Sequence, residues 1–338
     1  MIQLLDQDFS ARRHAHRDYQ LERIAPELRD TILKTPPVRF ESVWKARFGI
    51  WMMHRFMPSV DTDGVHVDSV RVPVRDGRSI RCRLYSPAAK TAEQERPAMV
   101  FMHWGGFVVG NLKTEHARCV RLCRDHKLVV LSVEYRKAPE HPFPAGLHDC
   151  YDALRWLHDH AIDYRVDAQN IGAGGTSAGG GLAASLALMA RDLDGPKVAW
   201  QYLGFPVLDA SCSSESARLY VDTPNWTSKA NTLMWRYYLG DGELTGLASP
   251  LLADSLSGLP PAVIWTAEFD PLRDEGALYA SRLWESGCRV YFHLYENAVH
   301  GFDSFPVDVG IVKRARHEVG AALDEMVVGH SLSEKSKG

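Results

Sequence analysis

Nothing in the 338 residues approaches the ~18 consecutive apolar residues that a membrane-spanning helix needs, so no span is expected. Charge of neither sign dominates. With 39 basic and 42 acidic side chains the formal net charge is -3, which gives no electrostatic reason to expect a nucleic-acid partner. Cysteine is sparse. Cys82, Cys119, Cys123, Cys150, Cys212 and Cys288 include no Cys-x-x-Cys pair and read as reduced thiols. No histidine pair has metal-ligand spacing on a helix, and no Gly-Lys-Ser or Gly-Lys-Thr phosphate loop occurs. Gly172-Ala-Gly174 begins like a dinucleotide loop, but the third glycine position holds Ser177. The expectation is therefore no metal and no cofactor. Met1 to Gln20 is mixed and charged, without the apolar core of a signal peptide. Together with the reduced thiols this gives a cytoplasmic expectation. The last six residues, Ser-Glu-Lys-Ser-Lys-Gly, read as a polar, frayed tail, and no internal repeat is visible.

Hydrophobic residues make up 45% of the chain, enough for a large buried core. Residues 1–60 read as helical, with Leu21, Ile24, Leu28, Ile32 and Leu33 at helical spacing. Ile50, Trp51, Met52, Met53 and Phe56 are apolar on more than one side of their helix, as packing onto a main domain or a lid over a site would require. From Val65 the period changes. Val65 to Val74 and Ile80 to Tyr85 alternate around Asp76-Gly77, a hairpin signal. Continuous apolar runs at Ala98 to Met102, Leu128 to Val133, Val198 to Val207 and Ala262 to Ala267 suit strands buried on both faces of a parallel sheet. Helical stretches alternate with them, and a last strand at Val290 to Tyr295 precedes a last helix with an apolar face. The fold class is thus α/β, a mostly parallel central sheet with helices on both faces. Residues 61–338 form the expected catalytic domain. Residues 1–60 and a helical insertion at about 210–247, rich in tryptophan and tyrosine, form the expected cap.

Gly175-Thr-Ser-Ala-Gly179 has the form Gly-x-Ser-x-Gly, in which the serine sits on a tight strand-to-helix turn. A Cβ at either glycine would crowd that turn. Ser177 is the candidate nucleophile. Acyl transfer also needs a base, an orienting acid and donors for the oxyanion. His300 follows the last strand, at the sheet edge where ligands bind. His103 precedes a glycine pair and suits a structural role, and His141 lies in a proline-rich loop. Asp270 follows its own strand, and Pro271 keeps it extended and out of the next helix. Glu268 competes for the same role. Asp274 and Glu275 read as first-turn acids that oppose the helix dipole. The order Ser177, Asp270, His300 is that of α/β-hydrolases. In His103-Trp-Gly-Gly-Phe107 the backbone N–H groups of Gly105 and Gly106, with that of Ala178, are the candidate oxyanion donors.

Five stretches in this order resemble the hormone-sensitive-lipase-like esterases of the α/β-hydrolase fold, the bacterial family IV. They are His103-Trp-Gly-Gly-Phe107, Glu134-Tyr-Arg-Lys-Ala-Pro-Glu-His-Pro-Phe-Pro-Ala145, Gly175-Thr-Ser-Ala-Gly-Gly180, Asp270-Pro-Leu-Arg-Asp-Glu-Gly276 and His300-Gly-Phe302. The resemblance spans about residues 65–328, and Thr176 is similar to the GTSAG branch. It implies a cofactor-free serine carboxylesterase for short to medium acyl esters, with an N-terminal helical cap, in a family where homodimers are common; the cap-region aromatics Trp51, Phe56, Trp226 and Trp235 add the expectation of an apolar substrate. Trp104 stands where the family usually has a glycine. Its ring is expected to reshape the pocket, or else to pack outward against the sheet, and Trp104, Phe107 and Phe302 are the expected substrate contacts. Lactone, carbamate or amide cleavage and acyl transfer on the same triad stay open. So does a non-catalytic receptor of this fold, although such receptors lack the histidine that His300 supplies here.

Overall fold

A computed structural model describes residues 17–35, 40–88, 95–305 and 307–335. Most of the Met1 to Gln20 stretch and the end of the polar tail therefore lie outside the described residues. The hairpin is present, with β1 (Val65–Pro73) antiparallel to β2 (Ser79–Pro87) across the turn at Asp76-Gly77. The remaining strands are β3 (Arg96–Met102), β4 (Val129–Val133), β5 (Val166–Thr176), β6 (Gln201–Gly204), β7 (Ala262–Phe269) and β8 (Val290–Val299). Eight strands form one sheet in the order β1-β2-β4-β3-β5-β6-β7-β8. Only β1 and β2 run antiparallel to their neighbours. β4 is wholly buried and β3 and β7 nearly so, which is why they read as unbroken apolar runs. Edge strand β8 is largely half-buried or exposed, with only Tyr295, Ala298 and Val299 buried. β6 is shorter than the apolar run Val198 to Val207, because the chain leaves the sheet at Phe205, where φ is 45°.

The main helices are α4 (His116–His126), α5 (Ala145–Asp159), α7 (Ala178–Asp192), α10 (Arg273–Glu285) and α11 (Gly310–Lys335), with a short α6 (Ala161–Tyr164) after α5. Two apolar clusters result. One holds Val100, Leu154, Leu182 and Ile264, and the other holds Phe101, Cys123, Trp265 and Leu323. Successive residues Val100 and Phe101 fall in different clusters because side chains alternate across a sheet. All six cysteines are free thiols, and Cys119 and Cys123 face inward on α4. Among the described residues no helix is long and apolar enough to cross a membrane.

The N-terminal part divides where the proline rule demands. α1 (Arg17–Arg23) ends, Ala25 adopts ψ 125°, and Pro26 opens α2 (Pro26–Lys34) at a position that needs no N–H donor. Ile24, Leu28 and Ile32 are buried, whereas Leu33 is exposed. α3 (Val43–Phe56) starts at Ser42, whose Oγ accepts from the Lys45 N–H. It buries Ala46, Ile50 and His54, while Trp44, Phe48 and Trp51 stack along its outer side. Arg47 anchors the helix by forking onto Glu140 at 2.6 and 2.7 Å and donating to the carbonyls of Val108 and Ala138. In the insertion, α8 (Glu215–Leu219) and α9 (Ser228–Leu239) are capped by Ser214 and Thr227.

Candidate active site

β5 and β3 are neighbours near the middle of the sheet, and both end at the same edge. The chain passes from β5 into α7 through Ser177, held at φ 55° and ψ -122°. That conformation is costly for a residue with a side chain and persists only where neighbours over-determine it. Here the Ser177 N–H donates to the Gly204 carbonyl at 2.7 Å, and the Ser177 carbonyl accepts from Gly181 and Val207. A Cβ on Gly175 would lie 2.6 Å from the Met102 carbonyl oxygen, and one on Gly179 2.6 Å from the Met102 carbonyl carbon. Both glycines are thus required by the close approach of β3.

The loops after β7 and β8 bring Asp270 and His300 to the Ser177 turn. His300 Nε2 lies 3.0 Å from Ser177 Oγ, and His300 Nδ1 lies 2.7 Å from Asp270 Oδ2. The Asp270 carboxylate is fully buried, and its other oxygen accepts from the Leu272 N–H at 2.9 Å. A buried carboxylate against Nδ1 keeps the proton on that nitrogen and leaves Nε2 free to accept from the hydroxyl. The His300 carbonyl accepts from Asn225 Nδ2 at 2.6 Å, and the imidazole lies between Phe205 at 5.5 Å and Trp226 at 5.8 Å. Ser177 and His300 are each only 6% exposed, so this polar cluster sits in a nearly dry surround.

β3 leads into the loop that holds the glycine pair. Gly105 has φ 138° and Gly106 φ 56°, both in the region that favours glycine. At Gly106 a Cβ would meet the Phe40 ring at 2.7 Å, so the N-terminal segment packs directly on this loop. Trp104 has no positive φ and is half-buried against the core, which is how a side chain is accommodated there. Ala178 is the first residue of α7, so its N–H has no acceptor within the helix. His103 takes the structural role. It is fully buried, stacks on Tyr135 at 4.4 Å and contacts the Trp104 carbonyl through Nδ1 at 2.8 Å. Burial pushes its pKa down to about 3.

Several expectations need correction. Phe302 is fully buried between Phe205 and Tyr295, a core position behind the imidazole and not a substrate wall. Phe107 is also interior, stacked on Tyr238 at 3.8 Å. Glu275 does not act as a first-turn charge. It is fully buried and accepts from the Leu208 N–H at 2.7 Å, and burial raises its pKa well above the ordinary carboxylate value. Glu268 pairs with Arg23 at 3.2 Å and accepts from the Asn297 N–H, away from the imidazole.

Sequence reasoning missed the packing partners Phe40, Phe205 and Asn225, which carry no motif. It also missed a buried chain behind the serine. Thr176 donates to Glu115 at 2.6 Å, Glu115 accepts from Arg118 at 3.0 Å, and Arg118 forks onto Asp303 at 2.9 and 3.1 Å. Asp303 also accepts from Trp265 on β7 at 3.1 Å. One network therefore ties together the strands and loops that carry Ser177, Asp270 and His300. Glu115 and Arg118 lie in a charged stretch of sequence that gives no sign of their burial. Among the described residues no cluster of histidine, cysteine, aspartate or glutamate has the geometry of a metal site.

Residues 99–304 match the family model described as alpha/beta hydrolase fold. Esterase LipI of Mycobacterium tuberculosis is 35% identical over 72% of this chain and 76% of its own length. The ethyl acetate hydrolase of Pseudomonas putida is 34% identical over 70% and 75%. Among solved structures, a bacterial heroin esterase superposes with a TM-score of 0.86 at 34% identity, covering 91% of this chain and 99% of the other. Esterase LipW from Mycobacterium marinum does so with 0.83 at 34%, covering 90% and 96%.

Proposed function

This chain belongs to the hormone-sensitive-lipase-like esterases of the α/β-hydrolase fold, and from that premise we propose that it hydrolyses small to medium, apolar carboxylic esters through an acyl-enzyme on Ser177. The observation that carries this is the imidazole of His300, 3.0 Å from Ser177 Oγ and 2.7 Å from Asp270 Oδ2.

In the first step His300 Nε2 accepts the hydroxyl proton as Ser177 Oγ bonds to the ester carbonyl carbon. Asp270 holds the ring and stabilises the imidazolium. The N–H groups of Gly105, Gly106 and Ala178 stabilise the oxyanion, and each such donor is worth about 3 kcal/mol in the transition state. The imidazolium returns its proton to the leaving alcohol as the carbon–oxygen bond breaks. Water, deprotonated by His300, then attacks the acyl carbon, and Ser177 leaves with the proton. The apolar preference rests on the surround. Phe40 and Met234 lie against Gly106, Trp226 lies over His300, and Trp104 flanks the same loop. We read α3 and the insertion at 210–247 as the cap that supplies these walls.

A panel of p-nitrophenyl esters of increasing acyl length tests this reading. An initial burst of p-nitrophenol equal to the enzyme concentration is expected, with turnover falling for long chains. Ser177→Ala should lose the burst and lower kcat by at least about 10⁴-fold. Retention of more than about one per cent of wild-type kcat in that variant rejects the assignment.

A further inference from the structure

We propose that the cleft between α4 and α11 is a second, non-catalytic site that binds a small oxyanion between the guanidinium groups of Arg121 and Arg316. The cleft holds about 100 Å³, room for several waters, and its walls include Arg118, Arg121, Tyr202, Asp303 and Arg316. Three guanidinium groups meet there. Arg118 is fully engaged, forking onto Asp303 and bonding Glu115 and Ser304. Asp303 is thereby already committed.

The other two cations are poorly matched. Arg121 makes no hydrogen bond or ion pair among the described residues, although it is more than half-covered by its neighbours. Arg316 reaches the Asp303 carbonyl at 3.4 Å and the exposed Asp308 at 3.8 Å, and its buried Nε has no partner. The two carboxylates in the cleft wall are engaged by other arginines, Asp125 by Arg124 at 3.2 Å and Asp303 by Arg118 at 2.9 Å. Burial, with repulsion from Arg118 and Arg316, pushes Arg121 down to about 10. Burial and Arg118 likewise lower Arg316.

Two guanidinium forks facing one small cavity match an oxyanion that accepts several N–H bonds at once. Inorganic phosphate and the short carboxylates that ester hydrolysis releases share that chemistry. The site is independent of the triad assignment, because neither Arg121 nor Arg316 touches Ser177, Asp270 or His300.

Isothermal titration with inorganic phosphate in one arm and acetate or butyrate in the other, at matched ionic strength, tests the proposal and separates the two sources. The expected result is saturable binding at one equivalent per chain in at least one arm, weakened at least tenfold by Arg121→Gln and by Arg316→Gln. The occupied site should also raise Tm by a few degrees over sodium chloride. Arg121→Gln removes no contact that the fold relies on, so it stays interpretable if Arg316→Gln misfolds. Absence of saturable binding in both arms, or binding that Arg121→Gln leaves unchanged, overturns the proposal.

Discussion

Gly106→Ala isolates the loop that holds the glycine pair. The added Cβ would lie 2.7 and 2.8 Å from two atoms of the Phe40 ring and 3.2 Å from Met234 Cγ. The nearest is about 0.7 Å inside ordinary van der Waals contact, and Phe40 is itself only 1% exposed, so its ring has little room to retreat. The backbone also has to keep φ at 56° with a side chain, which costs about 1–2 kcal/mol. Both effects are relieved by moving the loop. A shift of about half an ångström takes the Gly106 N–H out of the 2.7–3.1 Å window in which a donor stabilises an oxyanion. The expected loss is about 10²–10³ in kcat, equivalent to about 2.7–4 kcal/mol, with KM nearly unchanged. Steady-state kinetics on p-nitrophenyl acetate measure it. Phe40→Leu removes the two ring atoms in the way while keeping the position apolar, so in the double variant part of kcat should return. A Gly106→Ala enzyme with wild-type kcat would refute the oxyanion role of this loop. A double variant no better than Gly106→Ala would refute Phe40 as the cause.

Asp270→Asn keeps the shape but leaves Nδ1 without its carboxylate. A kcat reduction of about 10⁴ is expected, and a loss under tenfold would reassign the orienting acid. Arg118→Met strands the buried carboxylates of Glu115 and Asp303, each 4% exposed, and should lower unfolding free energy in urea by about 3–5 kcal/mol. An unchanged midpoint would show that the network bears no stability. His103 is held neutral with a pKa near 3, whereas the unfolded imidazole takes a proton near pH 6.5. Its contribution is therefore complete above pH 6.5 and is lost as pH falls, by about 1.4 kcal/mol per unit. His103→Gln should flatten the stability profile between pH 6.5 and 5 by about one proton, and an unaltered slope would count against burial as the cause. Trp104→Gly should change relative rates across an acyl-chain panel, and unchanged ratios would place the ring outside the pocket.

The features legible in the sequence are those that depend on neighbours in the chain. The hairpin at Asp76-Gly77, the buried strands and the helix boundary at Pro271 all follow from backbone sterics and from the periods of side-chain burial. Errors arose where neighbours in space decide. Phe302 sits beside the base in sequence, yet its ring points into the core because Phe205 and Tyr295 close around it. Glu275 reads as a solvated first-turn acid, yet tertiary packing buries it completely and disfavours its charged form. The continuous run at Val198 to Val207 promises a long strand, but the chain turns away at Phe205 to bring Val207 N–H to the Ser177 carbonyl.

By itself the sequence determined which chemical groups the protein carries and the order in which sheet-edge loops present them. Both depend on local rules, a strand followed by a glycine-flanked serine, an acid held out of a helix by proline, a histidine after the last strand. Only the tertiary structure decided distances and surroundings. Ser177, Asp270 and His300, far apart in the chain, meet within hydrogen-bonding range because a parallel sheet brings its strand ends to one edge. Phe40, Trp226 and the Thr176–Glu115–Arg118–Asp303 chain join them through packing that has no sequence period. The same packing brings Arg121 and Arg316 to one cleft.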